Sequence, residues 1–205
     1  MKRIRPDNIN ESSKWQNLYE RQGATRRTTW NNRELTKDLS AVIPQHATVL
    51  DVGAGPGLAQ RVLINREGRS DIKWTGMDFA PYAAEWALKE SGVGFVDYFT
   101  ADIRKGIPAE DNSYDVVMST EVLEHLDDQA AAVAEFARVA RRRIIVTTPL
   151  TLGPRELATK DSSPYHVWAI WPEDLENLLG AYGAAWSKIT RTNRQILCVC
   201  DLRKQ

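Results

Sequence analysis

Short apolar stretches and amphipathic stretches alternate through the middle of the chain. The apolar stretches have the length of buried strands, which are predicted at 48–52, 73–78, 95–101, 114–119 and 143–148. Patterns with the period of a helix lie between most of them, at 57–66, 81–91 and 127–140. Strands that alternate with helices of this length predict an α/β fold, with a mostly parallel sheet and helices on both of its faces.

The N-terminal part of the chain is predicted to be helical. Ser13 to Gln16 fits a capping box, which marks the start of a short helix that ends near Gly23. Helical spacing would place Trp15 and Tyr19 on one face of this helix. A second helix is predicted over 31–42, with its leucines directed inward. Residues 1–44 are therefore interpreted as a helical cap on the sheet.

The C-terminal part is predicted to complete the sheet. A last helix begins at Pro172, because proline suits the first turn of a helix. Residues 186–192 and 195–202 are predicted to form an antiparallel hairpin joined at 192–194. The fold prediction is a single doubly wound α/β domain over 1–205, with a seven-stranded, mostly parallel sheet and an antiparallel C-terminal strand. Its core spans 45–150, and residues 151–205 hold a long loop, the last helix and the hairpin.

Composition narrows the range of partners. The chain has 205 residues, with 27 Lys and Arg against 27 Asp and Glu, so it lacks the basic surface typical of nucleic-acid binding. No apolar run approaches the length of a membrane span, and the basic N terminus lacks the apolar region of a secretory signal. We therefore expect a cytoplasmic protein without nucleic-acid or membrane partners. The sequence does not predict an oligomeric state.

The segment from Val49 to Gly57 carries the strongest chemical signal. An apolar strand runs into a turn with glycine at every second position, Gly53, Gly55 and Gly57, and then into a helix. Such a turn brings bare backbone against a ligand, because glycine permits positive φ and has no side chain. The spacing differs from the G-x-G-x-x-G of dinucleotide sites, and no Gly-Lys-Ser/Thr follows as in a phosphate loop. Asp51 would repel a pyrophosphate and can pair with a cationic ligand.

This Asp-x-Gly-x-Gly-x-Gly pattern resembles motif I of the class I S-adenosylmethionine-dependent methyltransferases, whose ligand carries a sulfonium and an ammonium group. Later segments resemble the family's next motifs in order: Asp78 ends the second strand, Asp102 and Ile103 follow the third, and 119–121 end the fourth. The resemblance implies that S-adenosylmethionine is the cofactor and S-adenosylhomocysteine the product. It also implies binding at the carboxyl ends of the strands.

The resemblance assigns roles to individual residues. Asp78 would accept hydrogen bonds from both ribose hydroxyls, Asp102 would accept one from the adenine amino group, and Ile103 would lie against the adenine. Glu121 and its neighbours would line the methionine end, and Tyr19 would reach the methionine carboxylate. The implied cofactor site comprises Tyr19, Asp51, Gly53, Ala54, Gly55, Gly57, Asp78, Phe79, Asp102, Ile103, Ser119 and Glu121.

A hydroxyl acceptor needs a base, and histidine is the side chain best suited to that role near neutral pH. The chain has three histidines, and His46, ahead of the first strand, is predicted to lie on the surface. His125 follows the fourth strand in Glu121-Val-Leu-Glu124-His125 and resembles the base of many small-molecule O-methyltransferases. His166 lies in an aromatic loop after the fifth strand. Its candidate roles are a second base, a partner of His125 or a hydrogen-bonding clamp on the acceptor. The favoured function is methyl transfer to a small molecule, to oxygen first and nitrogen next.

Two other functions stay open. Glu121, Glu124, His125 and His166 resemble the residues that bind a divalent metal in small-RNA 3′-terminal 2′-O-methyltransferases, although the balanced charge argues against RNA. The sequence assigns no metal ligand and leaves open whether a metal binds near these four residues. A non-catalytic scaffold that only binds the cofactor is the other alternative. Turnover, and its dependence on Mg²⁺ or Mn²⁺, would separate these hypotheses.

Overall fold

The structure is a computed structural model that describes residues 1–22, 32–89, 92, 94–151, 154–155, 158, 163–190 and 195–203. Its strands, in chain order, are β1 (Lys2–Arg3), β2 (Thr48–Val52), β3 (Lys73–Asp78), β4 (Asp97–Thr100), β5 (Tyr114–Thr120), β6 (Ala140–Pro149), β7 (Trp168–Ala169), β8 (Gly183–Ile189) and β9 (Gln195–Leu202). Its helices are α1 (Ser12–Gln22), α2 (Arg33–Val42), α3 (Leu58–Glu67), α4 (Pro81–Lys89), α5 (Gln129–Val139) and α6 (Pro172–Gly180).

Seven of these strands form one sheet in the order β4-β3-β2-β5-β6-β9-β8. Strand β2 pairs in parallel with β3 and with β5, β3 pairs in parallel with β4, and β5 with β6. Strand β9 runs antiparallel to both β6 and β8. The predicted doubly wound sheet with an antiparallel C-terminal strand is therefore confirmed. Strands β1 and β7 form a separate two-stranded ladder, which was not predicted because two residues are too few to show a period.

Helices cover both faces of the large sheet. On one face, Phe136 of α5 and Leu175 of α6 belong to one buried cluster. On the other face, Leu39 of α2 joins residues of α3 in a second buried cluster. Strand β6 separates the two, because Ile144 belongs to the first cluster and Ile145 to the second. This two-sided core fixes the strands and leaves their carboxyl ends available for a site.

Two strand boundaries differ from the prediction. Strand β6 begins at Ala140, directly after α5, because Ala140 pairs with Tyr114 of β5, which carries the ladder through the charged run before Arg143. Strand β8 covers Gly183–Ile189 and not 186–192. A Cβ at Gly183 would lie 2.0 Å from the carbonyl oxygen of Asp201, so close backbone approach, and not hydrophobicity, sets where β8 starts.

Some predicted boundaries lie outside the described residues: the helix end near Gly23, the helix start at 31, the helix end at 90–91 and the hairpin turn at 192–194. The other predicted ends agree with the structure to within two residues. Among the described residues, none of the helices has the length and apolar character needed to span a membrane.

Candidate cofactor and acceptor site

The carboxyl ends of β2 and β5 meet at the point where the strand order changes direction. Strand β2 lies between β3 and β5 in the sheet. Ligands of open α/β sheets bind in the crevice that opens outside such a switch point. Gly53, directly after β2, and Glu121, directly after β5, both line a crevice there. The topology therefore brings two predicted segments to one place.

The turn after β2 leaves its backbone bare. Gly53, Gly55 and Gly57 have φ angles of 78°, 51° and 78°, in the left-handed region that glycine favours. A Cβ at Gly53 would lie 2.3 Å from Cγ2 of Val122, and a Cβ at Gly55 would lie 3.2 Å from the hydroxyl oxygen of Tyr19. Larger side chains would thus fill the turn, so its shape depends on glycine.

Asp78, at the end of β3, is buried and tied to the glycine turn. Its Oδ2 accepts hydrogen bonds from the Gly55 backbone N–H at 3.0 Å and from the Tyr19 hydroxyl at 3.4 Å. Its Oδ1 accepts one from the Ala80 backbone N–H at 2.9 Å, as a cap of the turn before α4 would. Burial outweighs these bonds and raises the pKa of Asp78 to about 6. Because Asp78 also lines the crevice, hydroxyl donors of a ligand would stabilise its charge.

Asp51 is fully buried one residue before the end of β2. Gln60 of α3 donates a hydrogen bond to its Oδ2, whereas its Oδ1 has no hydrogen-bond partner among the described residues. Burial raises the pKa of Asp51 well above its usual value, against the Gln60 bond and with a contribution from the charge of Asp78. Since Asp51 lies behind the crevice lining, its interaction with a cationic ligand would be indirect.

The crevice has a volume of about 610 Å³ including its open mouth, which is in the range of small-molecule sites. The predicted site residues that line it are Tyr19, Gly53, Asp78, Phe79, Asp102, Ile103, Glu121 and His125. The predicted residues that lie outside its lining are Asp51, Ala54, Gly55, Gly57, Ser119 and His166. Asn10, Arg104 and Val122 also line it and carried no sequence signal.

The predicted adenine end of the crevice holds an ion pair. Arg104 Nε donates to Asp102 Oδ1 at 2.9 Å, and Arg104 Nη2 donates to Oδ2 at 2.7 Å. Burial opposes ionisation of Asp102, but the hydrogen bonds and charge of Arg104 outweigh it, so the pKa of Asp102 is lowered. The Arg104 guanidinium also lies 5.7 Å from the centre of the Phe79 ring. The carboxylate predicted to meet the adenine is therefore already held by a cation.

Residues 8–19, which we call the N-terminal strap, cross the crevice, and Asn10, Trp15 and Tyr19 line it. Asn10 Nδ2 donates hydrogen bonds to the carbonyl of Tyr165 at 2.8 Å and to that of His125 at 3.2 Å. Trp15 Nε1 donates to Asn10 Oδ1 at 3.1 Å, and the Trp15 ring centre lies 5.0 Å from that of His125. The strap therefore joins the segment after β5 to the loop before β7.

Glu124, His125 and His166 form a compact cluster, here called the Glu-His-His cluster. Oε1 of Glu124 lies 3.9 Å from His125 Nε2 and 4.0 Å from His166 Nε2, and the two imidazole centres are 4.9 Å apart. Nδ1 of His125 lies 2.9 Å from the carbonyl oxygen of Tyr165. Only a protonated Nδ1 can donate there, so in the neutral ring Nε2 carries the lone pair. That lone pair is directed into the cluster.

Backbone contacts bring the cluster together. Glu121 has a φ of 58°, which turns the chain sharply after β5, and its N–H donates to the carbonyl of Thr147 at 2.9 Å. Its partly buried carboxylate accepts hydrogen bonds from Thr147 Oγ1 and Gln195 Nε2, each at 3.2 Å, while desolvation raises its pKa. The Val167 N–H donates to the carbonyl of Glu124 at 2.8 Å. That bond places the neighbouring His166 against the cluster.

The aromatic loop contributes unequally to the site. The Tyr165 ring centre lies 5.5 Å from that of Trp15, beside the Glu-His-His cluster. Trp168 instead donates its Nε1 to the carbonyl of Leu126 at 2.8 Å, and the Trp171 ring lies 4.5 Å from the Arg155 guanidinium. Trp168 and Trp171 therefore anchor the loop. The third histidine, at position 46, is exposed as predicted.

Comparison with known proteins agrees with this geometry. Residues 50–146, which hold the glycine turn, Asp78, Asp102 and the Glu-His segment, match the family model described as a methyltransferase domain. This match covers a little under half of the chain and supports the class I S-adenosylmethionine-dependent methyltransferase family. The crystal structure of a SAM dependent methyltransferase from Aquifex aeolicus superposes on this chain with a TM-score of 0.64. It is 17% identical and covers 95% of this chain and 100% of that one, so it shows the shared fold.

The chain aligns with only a part of the length of its curated relatives. A ubiquinone biosynthesis O-methyltransferase from Hahella chejuensis is 39% identical over 94 residues, which are 45% of this chain and 38% of that protein. A 2-methyl-6-phytyl-1,4-hydroquinone methyltransferase from Synechocystis sp. is 31% identical over 99 residues, which are 48% of this chain and 30% of that protein. The matched part of this chain thus spans less than half the length of either relative.

Proposed function

We propose that this protein transfers a methyl group from S-adenosylmethionine to an oxygen atom of a small molecule, with nitrogen as the next candidate acceptor. The observation that carries the proposal is the Nε2 lone pair of His125, fixed by the Tyr165 carbonyl on the other side of the ring. The names of the two curated relatives, an O-methyltransferase and a hydroquinone methyltransferase, support a small acceptor.

The crevice residues fit this cofactor. Gly53 lines the crevice, and as a glycine it has no side chain to block the ligand. The Asp78 carboxylate offers acceptors to the ribose hydroxyls, and Asp102 and Ile103 lie where the adenine is expected. Glu121 lines the same crevice and would face the methionine part of the cofactor. When bound, the cofactor supplies an electrophilic methyl group on its sulfonium.

The chain's own residues would handle the proton of the acceptor. His125 Nε2 accepts the hydroxyl proton as the oxygen becomes a nucleophile. The Glu124 carboxylate, 3.9 Å from that nitrogen, stabilises the imidazolium that forms. His166 lies on the other side of Glu124 and positions the acceptor or shares the proton. The rings of Trp15 and Tyr165 provide an apolar wall for a flat acceptor and exclude water from the reacting oxygen.

The test is turnover of His125→Asn against a panel of phenolic and hydroquinone acceptors. Turnover should fall on the order of 10²-fold or more, whereas affinity for S-adenosylhomocysteine should stay near that of the wild type. His46→Asn removes an exposed imidazole outside the site and should leave both unchanged. Near wild-type turnover in His125→Asn would show that His125 is not the base. A wild-type protein that binds no S-adenosylhomocysteine would overturn the proposed function itself.

A further inference from the structure

We propose that Asn10 is a positioning residue for His125. In this role Asn10 fixes the backbone carbonyl of Tyr165, and that carbonyl keeps the proton of the neutral His125 ring on Nδ1. The inference rests on the proposed function, because it concerns how the proposed base keeps its lone pair on Nε2. Asn10 belongs to the N-terminal strap, is only 6% exposed and lines the crevice.

The orientation of the Asn10 amide follows from its partners. The indole Nε1 of Trp15 can only donate, so the amide atom 3.1 Å from it is the oxygen. The amide nitrogen then faces acceptors: the carbonyl of Tyr165 at 2.8 Å, the carbonyl of His125 at 3.2 Å and Oδ1 of Asn8 at 2.8 Å. A flipped amide would place donor against donor at the indole, so this orientation is fixed.

The backbone of Asn10 is held as well as its side chain. Its N–H donates to Oδ1 of Asn8 at 2.9 Å. Its carbonyl accepts a hydrogen bond from Nη1 of Arg104 at 3.2 Å, and the rest of that guanidinium is bound by the carboxylate of Asp102. Asn10 is therefore a fixed point, tied to the cofactor side of the crevice, from which the Tyr165 carbonyl can be held.

The Tyr165 carbonyl is shared between Asn10 and His125. A carbonyl oxygen has two lone pairs. Here the oxygen accepts a hydrogen bond from Asn10 Nδ2 at 2.8 Å and lies 2.9 Å from His125 Nδ1. With the carbonyl in this position, a lone pair on Nδ1 would face a lone pair of the oxygen. The neutral ring therefore carries its proton on Nδ1 for as long as the carbonyl stays in place.

Glu124 attracts the same proton toward the other ring nitrogen. Its Oε1 lies 3.9 Å from His125 Nε2, and its side chain is 2% exposed. A carboxylate buried to this degree is stabilised by a nearby donor, and a small rotation would let an Nε2–H donate to it. That proton would occupy the lone pair that the base needs. The two neutral tautomers of His125 therefore compete, and the carbonyl held by Asn10 selects the active one.

Nuclear magnetic resonance of the full chain labelled with ¹⁵N-histidine tests the inference, because long-range proton–nitrogen correlations separate the two neutral tautomers. The chain has three histidines, and His125→Asn identifies the signals of His125. At alkaline pH, where imidazole is neutral, about nine-tenths or more of the wild type should carry the proton on Nδ1. In Asn10→Ala this fraction should fall to about one-tenth, and kcat should fall about tenfold with it. The KM for the acceptor should stay within about twofold, because the acceptor contacts remain.

Gln16→Ala is the control for a loosened strap. Gln16 lies outside the crevice lining, and its Oε1 accepts a hydrogen bond from the Tyr82 backbone N–H at 2.8 Å, which ties α1 to α4. Loss of this bond should lower the stability of the strap. The control should nevertheless keep the wild-type tautomer of His125 and lose no turnover, because the Asn10 amide is unchanged.

An unchanged His125 tautomer in folded Asn10→Ala would overturn the inference, as would a wild-type ring that carries its proton on Nε2. Should Asn10→Ala fail to fold, Asn10→Leu decides in the same way, because leucine fills the space of the amide and offers no donor. S-adenosylhomocysteine binding and wild-type turnover separate the two proposals. An active wild type whose tautomer does not depend on Asn10 refutes only the inference. A tautomer that does depend on Asn10, in a protein that binds no S-adenosylhomocysteine, refutes only the proposed function.

Discussion

Replacing Asp78 should separate two effects of its carboxylate. One is its contribution to cofactor affinity, and the other is the free-energy cost of burying its charge in the folded protein. Asp78→Asn removes the negative charge. It also places an amide N–H against a backbone N–H that, in the wild type, donates a hydrogen bond to the carboxylate. Loss of two hydrogen bonds to the ribose hydroxyls would weaken S-adenosylhomocysteine binding by about 2–3 kcal/mol, or roughly 30- to 150-fold. Glu85→Gln, which neutralises an exposed acid on α4, is the control and should bind normally.

The pH dependence of cofactor affinity provides a second, independent test of the role of Asp78. With a pKa of about 6, Asp78 is almost fully ionised at pH 7.5 and about one-tenth ionised at pH 5. If only the carboxylate accepts the ribose hydroxyls, wild-type affinity should fall about tenfold between these pH values. Calorimetric titration at both pH values measures this change. Asp78→Asn should show no such change, since it has no proton to gain.

The stability of the cofactor-free protein should change with pH in the opposite direction: it should decrease as the pH rises. The pKa of Asp78 is raised from 3.8 to about 6, so the folded state holds the proton more tightly than the unfolded state. Its contribution to stability is therefore full below pH 4 and is lost as pH rises through 6, by about 3 kcal/mol. Asp78→Asn should lose this slope in thermal melts. Wild-type affinity in a folded Asp78→Asn protein, or a pH-independent wild type, would refute the assignment of Asp78 to the ribose.

Two further changes test the glycine turn and the adenine end. Gly55→Val should abolish cofactor binding, because its Cβ would lie 3.2 Å from the Tyr19 hydroxyl at a φ of 51°. Gly68→Val is the control, because it imposes similar backbone strain at a φ of 69° but has open space around the new Cβ. It should lower the free energy of unfolding and leave cofactor affinity unchanged. If calorimetry gives Gly55→Val and Gly68→Val the same affinity, the turn is only structural. Arg104→Met should weaken cofactor binding several-fold, because Asp102 then loses the cation that holds its carboxylate in place. Unchanged affinity would place the adenine elsewhere.

The sheet and the glycine turn could be predicted because both leave local patterns. Buried strands and amphipathic helices show their own periods, and Gly53, Gly55 and Gly57 mark a turn that needs positive φ. Asp78 and Asp102 could be placed because each directly follows or ends an apolar strand. The extent of β8 could not, because Gly183 joins the ladder through backbone approach to Asp201.

The parts of the site that depend on tertiary contacts carried no local signal. Arg104 was missed because one basic residue after a strand looks like any solvated charge, and its pairing with Asp102 shows only in three dimensions. Asn10 was missed because a polar residue before a helix usually faces water. The grouping of Glu124 with His166 was expected from the family resemblance alone, because it depends on a backbone bond from Val167 that no spacing in the sequence reveals.

The N-terminal strap gives the two halves of the site different stabilities. Asn10 bonds to carbonyls that are 115 and 155 residues away in the chain, so closing this contact orders a very long loop. The sheet and its glycine turn are held by the two buried clusters and do not need that contact. Local unfolding of the strap would therefore open the Glu-His-His cluster to solvent while the sheet and its glycine turn stay folded. Acceptors would then enter and leave through a partial opening whose frequency is set by a few polar bonds, independently of the global stability of the domain.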